Sequence, residues 1–301
     1  MRWLWCLGIV GAFTIGCGDA GTGRSLAAPQ GSFSIKWGPT EVPAGNESTE
    51  CVVRRLGNPA GTFIHEIQNV LGATSHHFIV YRVNDTVEQL DPQPCQPFLD
   101  VLEDPPLIIT QRAEDRLVLP EGIAYELEPD QMIRLELHYV NPSAAPQMAE
   151  ATSTFVPMPA EEVTDLADVM FLGDVNINIP PTSLHTVGPT YIQIPERFNG
   201  VNYFAITGHE HQWGTNVFVE ATPDPGSPGT AVYDVVNFSW DEPETVTYDP
   251  PFQLPDGGGF NLTCDWNNQS GNFVGFGTGV DDEMCFFWAY YFPSQGPLVL
   301  F

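Results

Sequence analysis

Ile133-Arg134-Leu135-Glu136-Leu137-His138-Tyr139-Val140 sets an apolar side chain at every second position as far as Tyr139, with a polar one between. That period of two is the mark of a β-strand with one face turned to a core. Similar short runs recur as His77-Phe78-Ile79-Val80-Tyr81-Arg82-Val83, Val201-Asn202-Tyr203-Phe204-Ala205-Ile206 and Phe286-Phe287-Trp288-Ala289-Tyr290-Tyr291-Phe292. Turn-forming clusters punctuate the chain at Asn141-Pro142-Ser143, Pro223-Asp224-Pro225-Gly226 and Pro255-Asp256-Gly257-Gly258-Gly259. No long helical pattern follows the N-terminus, and Glu161 to Met170 has room for a single helical turn. The expected class is therefore all-β, built of antiparallel, jelly-roll-like sandwiches. The stretch Val156 to Thr164 reads as a linker. It divides the body into an N-terminal domain, 32–158, and a C-terminal domain, 159–301.

The chain has 301 residues, 43% of them hydrophobic, and a formal net charge of -28. That composition supports real cores. Beyond residue 160, Arg197 is the only Lys or Arg, against nineteen Asp and Glu. Such a surface repels nucleic acid, whose phosphates need Lys and Arg partners. It disfavours polyanionic substrates for the same reason, and an acidic surface also serves solubility.

The N-terminus reads as an export signal. Arg2 supplies a positive start, and Trp3 to Ile15 is almost wholly apolar but short for a membrane span. The run ends in Thr14-Ile15-Gly16-Cys17, which resembles a bacterial lipobox. Residues 1–17 are then a lipoprotein-type signal, Cys17 carries lipid, and 18–31 form a small-residue tether. The expected location is the bacterial envelope, outside the cytoplasm, with the lipid as the sole membrane attachment and the protein a monomer. Four cysteines remain beyond the signal, and four allow three pairings. They fall two and two along the chain, so Cys51–Cys95 and Cys264–Cys285 are the expected disulfides.

The seven histidines are His65, His76, His77, His138, His185, His209 and His211. His209-Glu210-His211 is a His-X-His pair, and on a strand residues i and i+2 share a face, so both rings can reach one ion. His76 and His77 are neighbours, which a regular strand points to opposite faces. Both reach one ion only where the strand is bulged. His138 lies on another strand of the same half. Met284 sits beside Cys285, and its soft thioether suits Cu(I) better than zinc or magnesium. Taken singly, each of these is more often core filler or a surface polar residue.

Taken together and in order, Ser75-His76-His77, Leu137-His138-Tyr139, Gly208-His209-Glu210-His211 and Asp282-Glu283-Met284-Cys285 resemble the copper type II ascorbate-dependent monooxygenases. Peptidylglycine α-hydroxylating and dopamine β-monooxygenases are members of that family. The resemblance runs from about residue 45 to the C-terminus and implies two coppers, one per domain, facing each other across a solvent-filled cleft. His76, His77 and His138 then hold an electron-transfer copper. His209, His211 and Met284 hold the copper that meets O₂, and these three are the catalytic set. O₂ reduction coupled to C–H cleavage consumes two electrons, one stored on each copper. Ascorbate or another one-electron donor would reload them.

The sequence also departs from the peptide-amidating members. Thr207 stands where they carry a basic residue, two before the His-X-His, and Phe286, Phe287 and Trp288 replace polar residues after the Met-Cys pair. A carboxylate-ended peptide is disfavoured on that ground. Glu136, two before His138, replaces an uncharged amide and is a candidate to tune the first copper or to bind a cation. Trp213, Phe286 and Trp288 are candidates to line an apolar substrate pocket, and are equally suited to core. Two functions follow. One is hydroxylation of a small neutral or cationic substrate with O₂. The other is an exported copper-binding protein on the same scaffold, without turnover.

Overall fold

The computed structural model describes residues 28–96, 104–279 and 281–301. The signal, Cys17 and most of the tether lie outside the described residues. The first half holds β1 (Phe33–Val42), β2 (Glu47–Arg55), β3 (Thr62–Leu71), β4 (Ser75–Val83), β5 (Gln89–Pro94), β6 (Pro106–Thr110), β7 (Glu114–Val118), β8 (Ile123–Leu127), β9 (Met132–Val140) and β10 (Gln147–Met158). The second holds β11 (Asp165–Leu166), β12 (Asp168–Gly173), β13 (Asn178–Ile179), β14 (Ser183–Gln193), β15 (Asn202–His209), β16 (Gly214–Thr222), β17 (Thr230–Asp234), β18 (Thr245–Phe252), β19 (Gly259–Asn268), β20 (Val274–Gly275), β21 (Phe286–Phe292) and β22 (Leu298–Leu300). The helical elements among the described residues are two 3₁₀ turns, Ala160–Glu162 and Glu196–Phe198.

In the first half one sheet runs β1-β10-β3-β8-β11, with β7 also on β3, and another runs β5-β2-β9-β4-β6. In the second half the main sheets are β18-β15-β21-β12-β22 and β14-β19-β16-β17, with a small β13-β20 pair. Between these strands pairing is antiparallel except where β11 joins β8 and β22 joins β12, and an isolated Phe276–Glu283 bridge is also parallel.

The sheet containing β21 is covered on both faces, which explains its unbroken apolar sequence. Successive side chains of β21 point opposite ways. Phe286, Trp288 and Tyr290 enter a core shared with Ile108, Ile109 and Leu137 of the first half. Phe287, Ala289 and Tyr291 enter a second core with Val217, Phe260 and Leu262. β12 divides likewise: Val169 and Phe171 go to the shared core, Met170 and Leu172 to the other. Each such side chain contributes roughly 2 kcal/mol when fully buried, so this apolar face favours contact with the first half over contact with water.

The boundary between the halves differs from the expected linker. Val156, Pro157 and Met158 belong to β10, where the register against β3 shifts between Val156 and Pro157. Such an irregularity accommodates a proline, which has no N–H to give the ladder. The turn expected in Glu161–Met170 is the short 3₁₀ turn Ala160–Glu162. β11, beyond the expected boundary, still pairs with the first half's β8. Both expected disulfides are present, Cys51–Cys95 and Cys264–Cys285, each with Cα atoms 5.8 Å apart. Such bonds suit an oxidising compartment. No helix of the described residues is long and apolar enough to cross a membrane.

Candidate metal centre

His77 on β4 lies opposite His138 on β9, whereas Ser75 lies opposite Tyr139. Two residues of β4 therefore face one residue step of β9, and His76 is the extra residue of a bulge. The bulge swings His76 towards the side of its neighbour. Ligand atoms of His76, His77 and His138 all lie within 4.8 Å of one another. The Nδ1 atoms of His77 and His138 are 3.4 Å apart. Two nitrogens each about 2.0 Å from one ion in tetrahedral array stand about 3.3 Å apart, so this spacing fits a shared ion. His138 Nε2–H donates to Glu47 Oε1 at 2.9 Å, which leaves the Nδ1 lone pair for that ion.

His209 ends β15 and lies opposite Phe286 of β21. His211 follows the end of β15 by two residues, and Met284 precedes the start of β21 by two. Alternation places His209 on the sheet face that also carries Phe286 and Trp288. Met284 is buried in the shared core, and the His209 ring is 5.9 Å from that of Trp288. His209 Nδ1–H donates to Gln111 Oε1 at 2.7 Å, and His211 Nδ1–H donates to the Asp282 carbonyl at 3.0 Å. Both bonds occupy Nδ1 and leave Nε2 as the free lone pair, the arrangement that orients metal-binding histidines. His209 Nε2 is buried without a hydrogen-bond partner.

Glu283 shapes the turn that carries this pair. Its Oε2 accepts from the His211 N–H and from Trp266 Nε1–H, both at 2.9 Å, and its Oε1 accepts from the Trp213 N–H at 2.7 Å. Burial pushes the Glu283 carboxyl up to about 7, against the pull of these donors. The turn closes with Gly214 N–H to the His211 carbonyl at 2.9 Å. A Cβ at Gly214 would sit 2.4 Å from the Glu210 carboxylate, so only glycine leaves room for that buried side chain.

The two histidine sets meet. Ring centroids of His77 and His209 are 6.3 Å apart, and those of His209 and His211 are 5.1 Å apart. The separate sites across a solvent-filled cleft implied by the resemblance are thus a contiguous cluster here, because the apolar face of the β21 sheet packs against the first half. Burial lowers all five imidazoles; neighbouring histidines add to the effect at His76, His77, His138 and His209, whereas Asp282 and Glu47 oppose it at His211. His76 and His138 fall to about 4, while His77, His209 and His211 are also depressed. They are neutral at neutral pH, the form that binds metal. His76 alone of the first set is only half-buried, and its ring lies 5.2 Å from Trp240, which reaches over from the second half.

The remaining expected residues scatter. Glu136 is fully buried, not a surface carboxylate. It accepts from Tyr81 Oη at 2.7 Å and its carboxylate clusters with Cys51 and Cys95, apart from the histidine set. Thr207 is buried, its hydroxyl 2.8 Å from that of Thr245. Phe286 and Trp288 are 2% and 0% exposed, so they are core, with no wall left for a substrate pocket. Trp213 packs on the opposite core. His185 stacks on Trp266, and His65 lies on β3, both outside the cluster.

Residues 165–298 match the sequence model of the copper type II ascorbate-dependent monooxygenase, C-terminal domain. These residues are similar to that family's C-terminal domain. The matched segment carries His209, His211, Met284 and both cysteines of the second disulfide. The monooxygenase family implies copper and ascorbate, and the histidine cluster supplies nitrogen donors that could hold metal. No curated protein matches the chain. Among solved structures, PNGase F, a glycosylasparaginase from Flavobacterium meningosepticum, aligns with TM-score 0.37 and 11% identity over 89% of this chain and 97% of its own. The major capsid protein P2 of bacteriophage PM2 aligns with TM-score 0.36 and 11% identity over 88% and 99%. At these scores neither likeness carries an argument about function.

Proposed function

We propose that the protein is a copper-dependent monooxygenase that hydroxylates a C–H bond of a small neutral or cationic substrate, using O₂ and a one-electron donor such as ascorbate. The observation that carries this reading is the cluster of five neutral imidazoles, with Met284 in the core whose Trp288 lies against His209. Two tandem β-sandwich domains, 32–158 and 159–301, each contribute one set. His76, His77 and His138 would hold one copper, and His209, His211 and Met284 the other. Bound copper supplies one-electron redox chemistry and affinity for O₂, and the thioether favours Cu(I). The residues of the chain do the rest. Glu47 holds His138 with Nδ1 turned inward. Gln111 and the Asp282 carbonyl hold His209 and His211 with Nε2 bare. Glu283 and the Cys264–Cys285 bridge fix the two chain segments that bring His211 and Met284 together. The packed Phe286 and Trp288 keep water from one side of the second set, while the half-buried His76 lies nearer the surface.

The acidic surface and Thr207 favour a substrate without a carboxylate. Attachment to the envelope through a lipid on Cys17 completes the proposal. The test is ascorbate-driven O₂ uptake by the copper-loaded protein over small amines, phenols and amides, with hydroxylated product read by mass spectrometry. Copper-dependent uptake matched by product supports the enzyme. Two bound coppers with no product from any substrate class would favour a copper-binding role without turnover.

A further inference from the structure

Gln111 belongs to no motif. It follows β6 directly, and Thr110 before it lies opposite Phe78 of β4. One residue further along each strand brings Gln111 level with His77. Thr110 is itself held, since Asn69 Nδ2–H donates to its Oγ1 at 2.8 Å. Gln111 is 4% exposed and His209 is 2% exposed, and the bond between them joins the first half of the chain to the second. A carbonyl oxygen can only accept, so this bond requires the proton of His209 on Nδ1. The other ring nitrogen is then the bare one, and it lies buried without a partner.

We infer that Gln111 is a positioning residue for the second metal site: a side chain of the first half sets the tautomer and ring orientation of His209 in the second. The inference rests on the reading of His209 as a ligand through Nε2. It goes further in making the second site incomplete without the first half. The second site is then not a property of the C-terminal half alone, and its affinity for metal depends on how the halves dock. Because Gln111 emerges beside His77, any shift of the first set that moves the end of β6 also turns His209.

The experiment has two arms on the full chain. In the metal-free wild type, ¹⁵N shifts of the His209 ring are expected to show Nδ1 protonated and Nε2 bare. The reverse tautomer overturns the inference whatever the metal does. In the second arm, Cu(I) affinity at each site is measured by competition with a chelator for Gln111→Met and Gln111→Glu. Gln111→Met keeps the shape but loses the acceptor, and is expected to weaken the second site about 10- to 100-fold while sparing the first. Gln111→Glu keeps an acceptor and is expected to hold affinity near wild type. Equal weakening of both sites by Gln111→Met, no weakening at all, or a Gln111→Glu variant as weak as Gln111→Met overturns the inference. A wild type that binds no second copper overturns the underlying reading of His209 as well, so the two failures are told apart.

Discussion

The two histidine sets reach a similar inventory of imidazoles by opposite means. In the first, the backbone is irregular and the side chains are lightly held. His76 is the extra residue of a bulge, half-buried against Trp240, and Glu47 orients His138 from a partly exposed position. In the second, the strand is regular from Ala205 through His209 and the surroundings do the aiming. Gln111, the Asp282 carbonyl and the thrice-bonded Glu283 carboxylate fix it, with a disulfide one residue from Met284. A site assembled by the backbone tolerates loss of its outer partners. A site assembled by a buried polar network does not, because each lost partner leaves a desolvated group unpaired. The second set should therefore be the more fragile, and the more sensitive to residues that never touch metal.

The largest expected effect is at Met284. Met284→His should keep both coppers but lose most ascorbate-driven oxygenation, because a harder ligand favours Cu(II). Met284→Ile should weaken Cu(I) at the second site alone. A Met284→Ile variant that oxygenates at the wild-type rate would make Met284 ordinary core. Next come the disulfides. The Cys51–Cys95 bridge spans 44 residues and the Cys264–Cys285 bridge 21. Loop entropy alone makes the first worth about 4 kcal/mol and the second about 3 kcal/mol. Paired Cys→Ser variants should show the larger drop in unfolding free energy for the first bridge, measured in denaturant. Copper affinity should fall mainly for the second.

Much of this was legible before any coordinates. Alternation in Ile133–Val140 marked β9, and the two-and-two cysteines paired as spacing suggested. Period-two geometry marked the His-X-His, whereas His76, His77 and His138, which a regular strand would not gather, were named by the resemblance. What stayed hidden was supplied by contacts far apart in sequence. Gln111 sits 98 residues from His209 with no local pattern. Glu283 stands within Asp282-Glu283-Met284-Cys285, yet its three donors come from a turn and a strand elsewhere. Phe286 and Trp288 could read as pocket or core because an all-apolar strand fits either. Only the packing of the β21 sheet on the first half decides it.

A third prediction concerns acid. All five imidazoles of the cluster have folded-state values below the ordinary 6.5, with His76 and His138 at about 4. The unfolded chain then binds more protons than the folded one between those values, so the stability they contribute is present above about 6.5 and lost as pH falls towards 4. Glu283, raised to about 7, and the raised Glu210 act in the opposite sense. The raised Asp104, Asp115 and Asp168 join those two, and the lowered Glu66 and Asp174 join the imidazoles, so seven groups against five leave the metal-free protein less stable at pH 4.5 than at pH 7.5 by thermal unfolding. An unchanged or higher unfolding temperature at pH 4.5 would contradict the burial of neutral imidazoles.

The smallest expected effects lie at the first set's rim and at Thr207. Glu47→Gln keeps an acceptor for His138 and should change Cu(I) affinity at the first site less than about tenfold, read by chelator competition. A larger loss would show that the first set is as tightly networked as the second. Glycine-extended peptides should be turned over poorly by the copper-loaded protein, since Thr207 offers no charge to a carboxylate. Efficient turnover would remove the substrate argument while leaving the metal sites standing.

Counting copper tests the central claim most directly. Metal analysis of reconstituted full-length protein should give two coppers per chain in the wild type, one in His209→Ala and one in His77→Ala. The X-ray absorption of the reduced wild type and of His77→Ala should contain a Cu–S path, with none in His209→Ala. A single copper in the wild type, or the loss of all copper from either variant, would show one indivisible centre and contradict two adjoining sites with separate ligand sets.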